Sequence, residues 1–512
     1  MITPSWLKEL AAWGVSSRML HDRMMLVTMG IAQWGQLPPD ATVRQLRFAG
    51  LWADARDELL VINACLARDG WYVLLRTTPF ETGTMLPSWS RWYPAAERMQ
   101  RHAHDLWGVR LDEQHTPPWT RHDAWRANEA PLRHDVMPQE QGRDRYPLAT
   151  FSGEGMYEIP VGPVHAGIIE PGHFRFSVAG EDILGLEERL GYVHKGIERL
   201  ACGRKPHELL ALTNRISGDS AVAHSWAAAQ AVERALGVAP TARGVVLRAI
   251  LAERERIANH LGDVGAICGD VGFAFAKVQC SRLREAWLRC QHDLFGHRLL
   301  MDSITPGGVA TDLHAGEIGL LRANHRDTLQ RWQNIAPILL DYPPLQDRLL
   351  NTGRLSAVAA RSLGTSGFLA RGSGLPMDVR HDSPYAPYDR HPVQPCLQHT
   401  GDVAARLQVR MAEIGTSVAL LDALLDDLPS GPVQEPWPQG MPAEGLGVVE
   451  GFRGEIITHV RLDDKGHVVR FFPRDPSWFA WPALEILVGG NIVADFPVCN
   501  KSVNASYSGC DL

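Results

Sequence analysis

The sequence predicts an α+β protein, in which a small N-terminal α+β domain is followed by a mainly α-helical domain with small β elements. Three observations predict this fold class. Near the N terminus, apolar β-compatible runs at 59–67 and 71–77 flank the turn sequence Arg68-Asp69-Gly70. Residues 243–262 carry apolar side chains at helical spacing. Residues 450–473 alternate as a β-hairpin does, with a turn sequence at 463–466.

Length and composition narrow the class of protein. A chain of 512 residues is too long for one core and predicts two or three domains. Apolar residues make up 45% and charged residues 21%, which is typical of a globular protein. The net charge of −7 argues against a dedicated nucleic-acid binder, so we expect no nucleic-acid partner. No run approaches the roughly 20 apolar residues of a membrane span, and the first 14 residues lack a signal-peptide pattern.

Domain boundaries follow from composition. The first domain is predicted at residues 1–140 and includes a helix near 94–109. A polar stretch at 133–155 is predicted as the linker, and the second domain is predicted at residues 150–512. That second domain is predicted to begin with an extended, Gly/Pro-rich segment at 156–178 and to end its helical part in a loop at 429–445. Its helices are predicted near 209–236, 243–262, 277–300, 315–340 and 402–428.

Two histidines in the Gly/Pro-rich segment are candidates for proton chemistry. His165 and His173 lie eight residues apart, between extended runs. An imidazole near neutral pH can exchange protons or hydrogen-bond a carbonyl ligand. The alternative is a pair of loop histidines bonded to backbone, and composition alone favours that alternative.

Three further features favour structural roles. Glu253 falls on the apolar side of its predicted helix, together with His260, which favours a buried ion pair. The glycine-rich segment 361–374 does not follow the dinucleotide-binding pattern and is predicted as a surface loop. The eight cysteines are scattered, with no Cys-x-x-Cys pair, which is typical of free thiols rather than of disulfides or a metal site.

Several segments of the second domain resemble a known family. Gly162–His165 and Leu190–Glu198 resemble the start of the D subunit of NADH-quinone oxidoreductase (complex I). They resemble more closely the large subunit of membrane-bound nickel–iron hydrogenases of the formate-hydrogenlyase type. The resemblance covers about residues 156–512. It continues, in order, through Glu253–Leu261, Asp270–Gly272, Thr305–Val309, Asp378–Arg380, Gly401–Arg406 and Arg453–Glu455.

The first domain resembles a second subunit of the same enzyme. Pro94–Arg98, His104–Val109 and Pro131–Arg133 are similar to the C subunit of complex I. A C-like domain fused before a D-like domain is the arrangement of formate-hydrogenlyase large subunits. The resemblance therefore implies a C-like domain at 1–140 and a hydrogenase-like domain at 150–512.

The sequence departs from the hydrogenases at the metal ligands. In that family two Cys-x-x-Cys motifs hold nickel and iron, because thiolates are the soft ligands that this pair requires. The corresponding positions here are Ser217, Ser220, Ser506 and Gly509, and Cys510 is one place off. The resemblance therefore implies that this chain binds no metal and has no hydrogenase activity of its own. In the complex I D subunit a quinone-binding tyrosine occupies this cavity, and Gly218 or Asp219 falls there.

The resemblance implies an oxidoreductase subunit of the NAD(P)H/quinone or hydrogenase type, in the peripheral arm of an ion-translocating complex. The complex would lie at the cytoplasmic face of the inner membrane. The expected partners are an iron–sulfur subunit with a [4Fe–4S] cluster and antiporter-like membrane subunits. In the leading hypothesis, the emptied cavity passes electrons to a quinone-like acceptor. Its predicted catalytic residues are His165, His173, Arg215 and Asp219.

The alternative is a redox-silent scaffold that couples an iron–sulfur partner to ion-pumping membrane subunits. Loss of one ligand set without gain of the tyrosine fits both hypotheses, and the sequence leaves them open.

Overall fold

The structure is a computed structural model. It describes residues 3–112, 117–121, 125–126, 129–133, 146–148, 153–165, 167, 169–437 and 441–512. Most of the predicted linker, and with it the boundary between the domains, lies outside these residues.

The N-terminal domain is a five-stranded sheet covered by helices. Its strand order is β1-β2-β5-β4-β3, with β2 and β5 parallel and the other neighbours antiparallel. A short parallel pair, β6 and β7, follows. The elements are α1 (Ser5–Trp13), β1 (Ser16–His21), β2 (Met24–Met29), α2 (Ile31–Val43), β3 (Arg47–Arg56), β4 (Leu59–Arg68), β5 (Trp71–Thr77), β6 (Met85–Leu86), α3 (Ala96–Trp107) and β7 (Arg110–Leu111).

The predicted hairpin of this domain is confirmed. Strands β4 and β5 pair up to Arg68 opposite Trp71, so the two-residue turn is Asp69-Gly70. Both turn residues have positive φ, 51° and 74°, as this hairpin turn requires. The predicted helix near 94–109 is also confirmed as α3, which ends at Gly108 in the left-handed conformation.

The second domain is mainly helical and carries two three-stranded antiparallel sheets, β10-β9-β8 and β13-β14-β15. Helix α7 lies in its centre and packs against α8 and α14. The elements are β8 (Met156–Val161), β9 (His173–Ala179), β10 (Asp182–Arg189), α4 (Ile197–Ala201), α5 (Pro206–Thr213), α6 (Ala221–Leu236), α7 (Ala242–Asp270), α8 (Ala274–Phe295), β11 (Ile304–Thr305), β12 (Gly308–Val309), α9 (Ala315–Asp341), α10 (Pro343–Leu349), α11 (Ala357–Ser362), α12 (Gly367–Gly372), α13 (Val379–Asp382), α14 (Val403–Asp426), β13 (Ala443–Gly451), β14 (Gly454–Leu462), β15 (Val468–Arg474), α15 (Ser477–Leu487), α16 (Phe496–Val503) and α17 (Tyr507–Asp511).

The predicted helices and the 450–473 hairpin are present, with three differences. The helix predicted near 209–236 is two helices, because a 3-10 turn at Gly218–Ser220 interrupts it. Strand β10 was not predicted. The loop predicted at 429–445 ends earlier, because β13 begins at Ala443. Glycines in this strand break the apolar alternation by which a strand is recognised in a sequence.

Those glycines allow α6 to lie directly on β13. A Cβ atom at Gly445 would lie 2.0 Å from the Ala231 carbonyl oxygen, and one at Gly447 would lie 1.9 Å from that of Ala227. The glycines therefore set the close approach of the helix to the sheet.

The prediction of a surface loop at 361–374 is wrong. Residues 363–373 are buried and include helix α12. The Arg371 guanidinium is fully buried and pairs with Glu413, Asp378 and Glu450 at 2.8, 3.3 and 3.0 Å. Ion pairs with residues distant in sequence hold this segment in the protein interior. The local glycine-rich pattern gives no indication of these ion pairs.

Ion pairs also confirm the structural role of Glu253. Its carboxylate lies 2.8 Å from Arg380 and 3.2 Å from Arg256. The Ser417 hydroxyl donates to it at 2.7 Å. Burial alone would raise the pKa of Glu253, but the two arginines lower it, so the carboxylate stays ionised.

Buried carboxylates join the two domains. Glu444 accepts from Arg56 and Arg76 of the N-terminal sheet and from His459 of β14. Asp54 of β3 pairs with Arg461 of β14 at 2.8 Å, and the Trp52 ring stacks on Phe472 with centroids 5.1 Å apart.

None of the helices in the described ranges combines the length and apolarity of a bilayer-spanning helix.

Candidate functional site

The four positions that the resemblance assigns to metal ligands converge in the structure. Ser217 precedes the 3-10 turn that ends at Ser220, and Ser506 caps the N terminus of α17. The Ser217 and Ser506 hydroxyl oxygens are hydrogen-bonded at 2.9 Å, and the Gly509 amide donates to the Ser506 hydroxyl at 2.9 Å. These four residues, together with Asp219 and Arg453, are called the serine cluster below.

An ion pair lies at the centre of the serine cluster. Two Arg453 nitrogens donate to the two Asp219 carboxylate oxygens at 2.7 and 2.6 Å, and one also donates to the Ser220 hydroxyl at 3.1 Å. The Ser217 hydroxyl donates to Asp219 at 2.7 Å. Burial alone would raise the pKa of Asp219, but Arg453 and Ser217 lower it. Asp219 is therefore an ionised carboxylate, and its side chain is 33% exposed.

The donor set does not fit a nickel–iron pair. Three of the four positions offer hydroxyls that are already hydrogen-bonded, and Gly509 offers no side chain, whereas this metal pair needs thiolates. A Cβ at Gly509 would lie 2.7 Å from the Asp475 carboxyl carbon. In the part of the chain that the structure describes, no three His, Cys, Asp or Glu side chains are grouped to hold a metal ion.

Asp475 is held firmly beside Gly509. His224 is hydrogen-bonded to its carboxylate at 2.8 Å, and the Ser477 amide donates to it at 2.8 Å. Burial opposes ionisation, but the bond and charge of His224 prevail and lower the pKa of Asp475 to about 2.

Each predicted histidine bonds a carbonyl of its own loop. His165 Nε2 lies 2.8 Å from the Gly172 oxygen, and His173 Nδ1 lies 3.4 Å from the Gly162 oxygen. The loop lies against α17, because the Ser508 amide donates to the Glu170 carboxylate at 3.2 Å. The histidine loop thus borders the serine cluster, and these two hydrogen bonds are of the kind that the backbone-bonded alternative predicts.

Arg215 points away from the serine cluster. Its guanidinium pairs with Asp302 at 2.8 Å, and both side chains are about half exposed, at 48% and 51%. Arg453 makes the contact to Asp219 instead. Arg453 lies in the segment Arg453–Glu455 that resembles the family, but the local sequence gives no sign of its pairing with Asp219, because the two residues are 234 positions apart.

Three family models match successive parts of the chain. The family described as the 30 kDa subunit of respiratory-chain NADH dehydrogenase matches residues 48–142, and that described as the 49 kDa subunit matches residues 270–444. Between them, the family of nickel-dependent hydrogenases matches residues 195–262.

Two curated relatives and one solved structure extend these matches. Formate hydrogenlyase subunit 5 of Escherichia coli is 32% identical over 83% of this chain and 76% of its own length. The carbon monoxide-induced hydrogenase of Rhodospirillum rubrum is 32% identical over 69% of this chain and 98% of its own length. A chain of the membrane-bound sulfane sulfur reductase, an archaeal respiratory membrane complex, has the same fold over 70% of this chain, with a TM-score of 0.66 and 24% identity.

The fold and the matched segments define a subunit of an oxidoreductase complex. The chain belongs to the family that unites the large subunits of formate-hydrogenlyase-type hydrogenases with the C and D subunits of complex I.

Proposed function

We propose that this chain is a peripheral subunit of a membrane-bound, ion-translocating oxidoreductase complex, at the cytoplasmic face of the inner membrane. It carries no nickel–iron centre. It receives electrons from the [4Fe–4S] cluster of an iron–sulfur partner and delivers them to a quinone-like acceptor at the serine cluster. Antiporter-like membrane subunits complete the complex.

One observation carries this proposal: the former ligand positions have become a polar cluster that keeps a partly exposed carboxylate beside a fixed cation. Arg453 can stabilise negative charge on an acceptor that takes up electrons, because its guanidinium is a permanent cation with several donors. Asp219 orients that guanidinium through two hydrogen bonds. Reduction of a quinone takes two electrons from the partner's cluster and two protons from this chain or from solvent.

A specific observation favours the scaffold as a second candidate. The polar side chains of the serine cluster already satisfy one another, as in the 2.9 Å bond between Ser217 and Ser506. A cluster of this kind could serve only to hold the partner's docking surface. The two candidates differ in whether substitutions at the cluster change electron flow.

Nickel content of the purified complex is the first test. We expect no stoichiometric nickel in this subunit, since the four positions supply no thiolate. A full equivalent of nickel would contradict both candidates. Co-purification of an iron–sulfur subunit and of antiporter-like membrane proteins tests the proposed partners in the same preparation.

Asp219→Asn and His173→Ala separate the two candidates. Under the redox proposal, Asp219→Asn weakens the orientation of Arg453, and we expect quinone-dependent oxidation of the complex's donor to fall at least tenfold. His173→Ala is expected to lower the rate as well, if the histidine loop faces the acceptor. The matched controls are Asp327→Asn on α9 and His207→Ala on α5, both at exposed positions. Unchanged turnover in Asp219→Asn and His173→Ala would favour the scaffold.

A further inference from the structure

A small cavity lies next to the serine cluster, between α7, α8 and the 3-10 turn. Asp219 and Glu255 line it, together with Asn259, Arg284 and Gln291. Asn259 joins the two acidic residues, because its side-chain nitrogen donates to the backbone oxygens of Asp219 and Glu255 at 2.7 and 2.9 Å. Asp219 and Arg284 are half-buried, so the cavity adjoins solvent on this side.

Glu255 is an acidic residue without a cationic hydrogen-bond partner among the described residues. It is 5% exposed. Its two carboxyl oxygens accept from the Val222 and Ala223 amides at the start of α6, at 2.7 and 3.2 Å. The other carboxylate of the cavity, that of Asp219, is paired with Arg453.

The surroundings of Glu255 favour its neutral form. Burial and, to a smaller extent, the negative charge of Asp219 raise its pKa. The two amide bonds and the charge of Arg256 oppose them, and the net pKa is about 8. Glu255 therefore holds a proton at neutral pH, whereas Asp219 does not. Arg284 of α8 faces the same cavity, and its Nε donates to the Ala258 oxygen at 3.1 Å.

A neutral carboxyl has an O–H group that needs an acceptor. Gln291 supplies one in the same cavity: its side-chain oxygen is buried and has no hydrogen-bond partner in the described structure. The Gln291 amide cannot simply turn round, because its nitrogen donates to the Arg298 oxygen at 2.7 Å. Leaving a buried acceptor unpaired is unfavourable, and bound water is the usual partner of such groups.

We propose that Glu255 is a proton-transfer residue, which exchanges its proton with solvent through water bound between its carboxyl group and Gln291. In the resting state the Glu255 O–H bond is intact. That bond breaks when the proton passes toward the serine cluster, and solvent water replaces the proton through the cavity. Delivery to a reduced acceptor rests on the proposed function, whereas proton storage and exchange do not.

Infrared spectroscopy of the purified complex tests storage and exchange. At pH 7 the wild type is expected to show the carbonyl stretch of a protonated carboxylic acid that Glu255→Gln lacks. Glu208→Gln is the control at an exposed glutamate, and its spectrum in this region should match the wild type. In D2O the band should shift promptly, and Gln291→Leu should slow this shift at least tenfold. A band unaffected by Glu255→Gln, or equal exchange in Gln291→Leu, would overturn the proposal.

Turnover measurements separate this inference from the proposed function. If the complex reduces a quinone, Glu255→Gln is expected to lower kcat at least tenfold at pH 7 with little change in KM. Wild-type rates in that variant would overturn the transfer role. If the wild-type complex reduces no quinone, the redox proposal fails, and the infrared band still decides whether Glu255 stores and exchanges a proton.

Discussion

Gly447→Ala is expected to unfold or strongly destabilise the second domain. The added Cβ would lie 1.9 Å from the Ala227 carbonyl oxygen and 2.9 Å from the Ala231 nitrogen, both backbone atoms of α6. No side-chain rotation can relieve this contact, so α6 must move away from β13. Overpacking of this kind typically costs 1–3 kcal/mol and occasionally more, and we expect a loss of about 3 kcal/mol or more because backbone meets backbone. The midpoint of urea denaturation measures the effect.

Gly415→Ala is the matched control. Gly415 lies within α14, and a Cβ there would meet no atom within 4 Å. Alanine is favoured over glycine inside a helix by about 0.8–1.0 kcal/mol. This variant should therefore denature at a slightly higher urea concentration than the wild type. Equal midpoints for Gly447→Ala and the wild type would contradict the close packing of α6 on β13.

Glu455→Gln is expected to destabilise the contact between the two domains and to lower the free energy of unfolding. The Glu455 carboxylate is 1% exposed and accepts from both Arg47 terminal nitrogens, at 2.9 and 2.6 Å, and from the Tyr72 hydroxyl at 2.6 Å. Arg474 also pairs with it. The substitution leaves the buried Arg474 and the half-buried Arg47 without their counter-charge. Removing one partner of a buried pair typically costs about 3–5 kcal/mol. Urea denaturation at pH 7 measures the loss.

The effect of Glu455→Gln should depend on pH. Burial opposes ionisation of Glu455, but Arg47 and Arg474 prevail and lower its pKa from 4.5 to about 2. A carboxyl with a lowered pKa in the folded state stabilises the protein above its unfolded pKa, and this contribution is lost as the pH falls from about 4.5 to about 2. The difference in stability between wild type and variant should shrink over that range.

Glu285→Gln on α8 provides the control for charge removal. Glu285 pairs with Arg289 and Arg298, and all three side chains are exposed. Exposed pairs contribute little to stability, so the denaturation midpoint should stay at the wild-type value. A loss as large as that of Glu455→Gln would show that burial is not the cause.

Local spacing predicted the elements whose burial repeats along the chain. The apolar stripe of α7 and the alternation of the two hairpins were sufficient, because periods of 3.6 and 2 report which face is buried. Strand β13 and helix α12 were not predicted from local spacing. The glycines of β13 are required by the close approach of α6, and α12 is held in the interior by ion pairs with distant residues. Those partners lie far away in sequence.

The candidate site could be predicted only in part, again because many of its contacts join residues that are far apart in sequence. Resemblance to the hydrogenases identified Ser217, Ser220, Ser506 and Gly509, and the structure brings these positions together. The pairing of Asp219 with Arg453, and the burial of Glu255 nearby, depend on tertiary contacts alone. Roles for His165, His173 and Arg215 in catalysis stay predictions.

The contact between Gly509 and Asp475 leaves no room for a larger residue at position 509. A cysteine at 509 would place its Cβ 2.7 Å from the Asp475 carboxyl carbon. His224 and the Ser477 amide hold that carboxylate in place. Four serine- or glycine-to-cysteine changes would therefore not be enough to rebuild a hydrogenase centre. Designing a thiolate site into this chain would therefore require a fifth change, at Asp475, that makes room for the Cβ at 509.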